Sequence, residues 1–272
     1  MDINELKLLQ NYPLELKVEK TKLRIIEWVS YYGEENVYVS FSGGKDSTAM
    51  LLLLIENNKP IDEIIFCDTG MEFQDMYEHI EKVKEMIGLP ITVLKSDKSF
   101  EYYMFDHIKT KGKNKGQKGY SWPDFRNRWC TQALKKSVIS KYLKNKYPKD
   151  KYELIEYHGI ALDEKQRAEK NKEKNCIYPL IDYEMTERDA LEYCYTKGLD
   201  WNGLYKKLGR VSCWCCPLKN LKELKVIYEE YPEYWEKLKE WDNNTYRQFR
   251  SDYSIEDLEA KFKIEKEESK EC

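Results

Sequence analysis

Val37-Tyr38-Val39-Ser40-Phe41-Ser42-Gly43-Gly44-Lys45-Asp46-Ser47 runs straight into Thr48-Ala49-Met50-Leu51-Leu52-Leu53-Leu54-Ile55. The β-branched and aromatic residues of 37–41 predict a buried strand, the paired glycines a tight turn, and the leucine-rich run a buried helix. A strand, loop and helix in that order gather backbone N–H groups and the positive end of a helix dipole around one point, which suits a phosphate. A side chain at Gly43 or Gly44 would hold the backbone away from the anion. Lys45 adds a point charge, Ser42 and Ser47 add hydroxyls, and Asp46 can hold a Mg²⁺ that neutralises phosphate charge. With Ser40 on the strand, residues 42–47 form the candidate nucleotide-binding set, and Lys45 and Asp46 its candidate catalytic pair. Residue 39 is valine where G-x-x-x-x-G-K-[ST] requires glycine, so this is not a Walker A loop.

Outward from this stretch, 15–32 has helical spacing at Leu16, Leu23, Ile26 and Val29, which predicts a packing helix ahead of the strand. Residues 62–70, DEIIFCDTG, predict a second strand leaving through a polar turn. Phe73, Ile80, Val83 and Ile87 mark one face of a helix stopped by Gly88. Ile91-Thr92-Val93-Leu94 predicts a third strand and 152–160 another. The alternation predicts a doubly wound, mostly parallel α/β sheet, with ligands beyond the carboxyl ends of its strands. Asp68, Thr69 and Gly70 fall there. They can meet ribose or adenine, and Asp or Thr is equally ordinary as a helix cap. Thr186 with Asp189 predicts a capping box opening a helix through Tyr195 that Gly198 closes. From Lys219 on the pattern is helical and rich in Tyr and Trp, most simply core, and 265–271 reads as a charged, frayed tail. The expected domains are an N-terminal packing helix (1–32), a nucleotide-binding α/β domain (33–182) and a helical C-terminal region (183–272).

With 272 residues the chain can bury one sizeable core, and 35% charged residues with mean hydropathy −0.79 make its surface very polar. No apolar run is long enough to span a membrane and the N-terminus has no apolar signal core, so a cytoplasmic location without membrane attachment is expected. A net charge of −3 gives no global attraction to nucleic acid. The stretch 109–119, KTKGKNKGQKG, nevertheless carries five lysines and three glycines. It reads as a mobile surface loop, or as a cationic arm for a polyanion such as a tRNA or DNA backbone.

Eight cysteines without a secretion signal favour metal or redox chemistry over a disulfide framework. Cys213-Trp214-Cys215-Cys216-Pro217 and Cys130 supply four thiolates, the count for a 4Fe-4S cluster or an all-cysteine zinc site; free or redox thiols are the third reading. Arg126 and Arg128 near Cys130 predict a lowered thiol pKa. Cys67 and Cys194 sit on apolar elements and read as core, and Cys176 has no reading.

SGGKDS after a hydrophobic strand resembles the PP-loop of the adenine nucleotide alpha hydrolase-like family of ATP pyrophosphatases, sulfurtransferases and phosphoadenylyl sulfate (PAPS) reductases. CDTGMEF resembles the PAPS reductase branch. Gly159, Ile160 and Glu164 match in place the family's Gly-Ile-Arg-x-x-Glu-Ser-x-x-Arg element, whose charged groups line the nucleotide site. Ala161 and Lys165 depart from it, and Arg167 falls one residue short of the final arginine. The bland reading of Glu164 and Arg167 is a surface ion pair. Cys130 with Cys213 and Cys216 is similar to the cysteine arrangement of adenylyl sulfate reductases, with Cys215 in place of one member of an adjacent pair. Cys272 stands where the reductases carry a Glu-Cys-Gly segment, without the residues that follow. The resemblance implies an enzyme that cleaves ATP to AMP and pyrophosphate to activate an acceptor for sulfur transfer, aided by an iron-sulfur cluster and an external sulfur or electron donor. A PAPS or adenylyl sulfate reductase releasing sulfite, and a non-catalytic nucleotide-gated module, are the alternatives.

Overall fold

The computed structural model describes residues 11–20, 23, 37–57, 61–148, 154–170, 175–182 and 184–271. Residues 14–20 are helical, and the rest of the helix expected over 15–32, like Cys272, lies outside the described residues apart from Leu23. The chain divides into two compact units. One comprises Met1–Cys67, Gln74–Leu94 and Lys141–Asn202; the other comprises Asp68–Phe73, Lys95–Ser140 and Gly203–Cys272.

The first unit is built on a parallel sheet of β1 (Val37–Phe41), β2 (Glu63–Asp68), β3 (Ile91–Lys95), β4 (Ile155–His158) and β5 (Cys176–Ile177) in the order β3-β2-β1-β4-β5. This is the expected α/β fold. β5, two residues long, gave no signal in the sequence. The order grows one way from β1 through β2 and β3, then reverses to β4, so the crevice beyond the carboxyl ends of β1 and β4 is the topological switch point. Helix α1 (Lys45–Glu56) follows β1 and is buried along nearly its whole length, Met50, Leu51, Leu53 and Leu54 being fully enclosed. A helix apolar on all sides must be covered on all sides. It packs on β1, on α2 (Gln74–Ile87) and on α3 (Glu187–Thr196). α2 is amphipathic, burying Met76, His79, Ile80 and Val83. α3 opens on the expected capping box, in which Thr186 accepts from the Asp189 N–H and the Asp189 carboxylate accepts from that of Thr186. Asp189 also pairs with the fully buried Lys17.

The second unit contains α4 (Leu221–Glu230), α5 (Pro232–Asn243) and α6 (Ile255–Glu271) around an aromatic core. Trp122, Trp129, Trp214, Trp235, Trp241, Phe249 and Phe262 are all buried in it. The Trp122 indole N–H donates to Asp242 at 2.9 Å. The tail expected to fray instead continues α6 to Glu271, where Lys261 and Lys225 both pair with Glu265. Residues 109–119 form a turn closed by Lys109 N–H to Gln117 and Gly116 N–H to Lys109. Lys109 folds in, its ammonium on the Tyr246 hydroxyl at 2.9 Å, while Lys111, Lys113, Lys115 and Lys118 are exposed. Among the described residues no helix is long and apolar enough to cross a membrane.

Gly159 directly follows β4, where a Cβ would lie 2.7 Å from the Ser47 N and Cα and 2.9 Å from the Asp46 carbonyl carbon. These are backbone atoms and cannot swing aside. Gly159→Ala should therefore destabilise the fold by about 1–3 kcal/mol, the range for overpacking, read from the urea midpoint at unchanged m-value. An unchanged midpoint would mean that the two backbones are not held this close.

Candidate functional site

The loop between β1 and α1 is held open by its own hydroxyls. Ser47 Oγ accepts the Ser42 N–H at 3.1 Å, lies 2.9 Å from Ser42 Oγ and 3.0 Å from the Gly44 carbonyl. Gly43 adopts φ +75°, and a Cβ there would strike Met76 Sδ at 2.7 Å. Gly44 precedes α1 and gives its first turn no side-chain cap. Ser40 lies on β1 opposite His158 of β4.

Lys45 and Asp46 carry the charge. The Lys45 ammonium lies 3.2 Å from Asp46 Oδ2 and 2.5 Å from Glu187 Oε2. Burial pulls its pKa down, but the two carboxylates outweigh burial and leave it raised. Burial pushes the Asp46 carboxyl up from 3.8 to about 6; Lys45 opposes this, and the Glu187 and Glu164 charges add to it. Asp46 Oδ1 is buried with no hydrogen-bond partner. An orphaned, electron-rich oxygen with two further carboxylates acting on it is the chemistry of a hard-cation ligand, so the residues present fit a Mg²⁺. Glu164 also takes Arg167 at 2.7 Å, the i, i+3 ion pair of the bland reading, with Arg167 half out in solvent.

Three residues escaped the sequence reading. Glu187 is the second carboxylate on Lys45. Trp201 donates its indole N–H to the Gly43 carbonyl at 2.8 Å, and His79 stacks on Trp201 with centroids 4.2 Å apart. Burial, with help from Lys82, holds the His79 pKa down at about 3, so its ring is neutral where it meets Thr48 Oγ1. The capping box at Thr186 placed a helix start but gave no hint of its partner. Trp201 lies 158 positions from Gly43.

In the second unit Cys130, Cys213, Cys215 and Cys216 gather. Cys216 acts electrostatically on Cys130, and Cys215 feels the other three. The turn of 213–216 is fastened by Cys216 N–H to the Cys213 carbonyl and by Trp214 N–H to Met71, with the Trp214 ring stacked on Tyr234 at 4.7 Å. Cys130 follows Trp129, whose indole N–H donates to Ser121 at 3.0 Å. The expected lowering of the Cys130 pKa is reversed: burial and Cys216 raise it against the pull of Arg128. Burial pushes Cys213 up to about 12 and raises Cys215 well above its ordinary value. Two cations stand by. Lys135 acts on Cys213, and the buried Lys219, itself lowered by burial, feels the thiol charges of Cys213, Cys215 and Cys216. Cys67 and Cys194 are buried, as expected of core residues.

Asp68, Thr69 and Gly70 belong to this second unit. Asp68 accepts the Gly70 N–H at 2.7 Å and pairs with Lys95 at 2.6 Å. Thr69 donates its hydroxyl to Glu72 at 2.8 Å and lies 3.9 Å from the Cys213 sulfur.

Residues 36–219 match the phosphoadenosine phosphosulfate reductase domain. The chain belongs to this family. It is 31% identical over 233 residues to an uncharacterised protein of Methanocaldococcus jannaschii, covering 81% of this chain and 52% of that protein. The chain thus spans about half the length of that relative. Adenosine 5'-phosphosulfate reductase 1 of Bacillus subtilis is 30% identical over 208 residues, covering 73% of this chain and 79% of that enzyme. A solved U34-tRNA thiolase of Methanococcus maripaludis with its [4Fe-4S] cluster superposes with TM-score 0.44 at 17% identity, covering 93% of this chain and 81% of that one.

Because its pKa stands at about 6 in the fold against an ordinary 3.8, Asp46 keeps, between those two pH values, a proton that the unfolded chain has released. Its contribution to stability is therefore fully present at low pH and is lost as pH rises through that window. Asp46→Asn removes the charge at constant shape, so at about pH 8 it should be more stable than the parent by up to about 3 kcal/mol and melt at a higher temperature. A lower melting temperature would show that the carboxylate is a stabilising partner of Lys45. Trp201→Phe keeps the ring against His79 and removes the donor to Gly43; a loss of about 1 kcal/mol is expected, measured by denaturant titration.

Proposed function

We propose that the protein is a PP-loop enzyme of sulfur chemistry that binds ATP on residues 42–47 and cleaves it between the α- and β-phosphates. The observation that carries this is the Lys45, Asp46 and Glu187 arrangement at an uncapped helix start, with Asp46 Oδ1 left unpartnered. In this reading the backbone donors of Gly43 and Gly44 cradle the β- and γ-phosphates, and Lys45 exchanges a carboxylate partner for a phosphate oxygen. An acceptor oxygen attacks the α-phosphorus, its electron pair forms the new P–O bond, and the bridging-bond pair leaves with pyrophosphate. Lys45 stabilises that departing charge by position alone. Asp46, with Glu187 or Glu164 beside it, would hold a Mg²⁺, which supplies neutralisation of the polyphosphate.

Cys130, Cys213, Cys215 and Cys216 would hold an iron-sulfur cluster. Their sulfurs do not form a set within 4.8 Å, whereas Glu156, His158 and Cys176 do. A single tetrahedral zinc would draw its thiolates to about 3.8 Å from one another, so the wider spacing favours a polynuclear group. Bound there, it would supply redox-active iron. Lys135 and Lys219 offset the thiolate charge. The acceptor we propose is a nucleic acid, a tRNA or DNA, drawn to the exposed lysines of 109–119 through its phosphates. A separate protein would donate the sulfur or the electrons. Gly159, Glu164 and Arg167, of the first unit, remain candidates for the nucleoside end.

A second reading, reduction of adenylyl sulfate or PAPS with release of sulfite, is favoured by the Bacillus subtilis relative of that name, similar over 73% of this chain. Pyrophosphate release from ATP with Mg²⁺, set against sulfite release from the sulfonucleotides, separates the two. The expected outcome is pyrophosphate only, abolished by Asp46→Ala without loss of fold. Turnover surviving that change would refute the metal role of Asp46. Cys213→Ser should lose the visible thiolate-to-iron absorbance of anaerobically purified protein, and Cys194→Ser should keep it.

A further inference from the structure

We propose that Glu156, His158 and Cys176 form a second metal site, for a borderline-soft divalent ion of the zinc class, on the β4–β5 edge of the sheet. Glu156 and His158 alternate on β4 and so share a face, and Cys176 of β5 is the register partner of Glu156. One ligand atom from each of the three lies within 4.8 Å of those of the others, and among the described residues this is the one such group of His, Cys, Asp and Glu.

The spacings approach those of ligands around an ion. His158 Nδ1 stands 3.6 Å from Glu156 Oε1, and Cys176 Sγ stands 3.5 Å from Glu156 Oε2. The two spacings run to different oxygens of the one carboxylate, Oε1 and Oε2; zinc with bonds of about 2.1 Å to N and O and about 2.3 Å to S would draw both neighbours to about 3.4–3.6 Å from a single one of them. The imidazole supports the same conclusion: His158 Nδ1 is buried and has no hydrogen-bond partner, a vacancy on the atom that would bind the ion. Its ring lies parallel to Tyr178 at 6.0 Å, 10° from coplanar, which fixes the direction of the lone pair. A thiolate, an imidazole and a carboxylate select zinc, or cobalt as its surrogate, over the hard Mg²⁺ suited to Asp46.

Three protein ligands leave the fourth tetrahedral position open. The site also adjoins the phosphate loop through the chain itself, since His158 is followed by Gly159, whose backbone presses on Ser47 and Asp46. An ion holding His158 would thereby brace the strand end against which the loop is packed.

The test is alkylation of the anaerobically purified protein with iodoacetamide, read peptide by peptide by mass spectrometry, with and without added Zn²⁺. At free zinc about ten times the fitted dissociation constant, Cys176 should react roughly tenfold more slowly. His158→Gln and Glu156→Gln should each remove that protection while Cys176 still reacts in the absence of zinc, and circular dichroism should confirm both variants folded. With Co²⁺, a sulfur-to-cobalt charge-transfer band should appear and be absent in His158→Gln. Equal Cys176 reactivity with and without zinc would overturn the proposal. So would protection that persists in both variants, since that is a thiol binding zinc alone. The peptide-level readout is independent of ATP turnover, so failure of this site and failure of the PP-loop reading are distinguishable.

Discussion

The contact that the first unit depends on is between two stretches of backbone, Gly159 directly after β4 and Asp46-Ser47 at the start of α1. Sheet order reverses between β1 and β4, so nothing from the sheet covers the crevice there and the chain must define it with loops. Absence of a side chain at Gly159 lets the first turn of α1 settle against the strand end. α1 is then trapped by burial on every side, and its N-terminus cannot tilt without opening the core. The loop is precise because its helix is immobilised from behind, with Trp201 and the neutral His79 fixing the Gly43 carbonyl from the other side.

Rigidity of this kind allows an unfavourable arrangement of charge. A lysine, an aspartate and a glutamate crowd into a partly enclosed place, and one carboxylate oxygen is left with no partner at all. Packing elsewhere must offset that cost, and the core around Leu51, Leu53 and Leu54 supplies it. Local conflict tolerated within a consistent surrounding structure is the usual mark of a place kept for something other than stability. The cysteines show the same pattern: four thiols are held near one another, and burial raises three of them away from the ionised state a metal would require.

What the sequence revealed, it revealed through local pattern. SGGKDS between a β-branched run and a leucine run, the Thr186–Asp189 box and the period of α2 each lie within a few residues, where propensity and spacing operate. The gathering of Cys130 with 213–216 was legible because cysteine is scarce and its company is informative. Glu187, Trp201 and His79 were not legible, since each acts on a partner far along the chain and each residue type is ordinary where it stands. β5 failed for another reason: two residues cannot display a period, and with it the partnership of Cys176 was hidden. The Cys130 reading erred in sign because arginines nearby in sequence are exposed, while burial and a distant cysteine act more strongly on the thiol.

The DTG turn shows how far a motif and its local physics can part. In sequence Asp68 and Thr69 fit ligand contacts or helix caps, yet the turn is organised by Glu72, which accepts from the Thr69 N–H, the Thr69 hydroxyl and the Met71 N–H. That same carboxylate disfavours ionisation of Cys213 and Cys215. A turn that positions Thr69 near a sulfur while placing negative charge beside it makes an uncompensated thiolate costly. Lys135, 3.8 Å from Glu72, answers part of that charge. Lys219, which acts on Cys213, Cys215 and Cys216, answers another part, so ionisation of these sulfurs depends on cations held close to them.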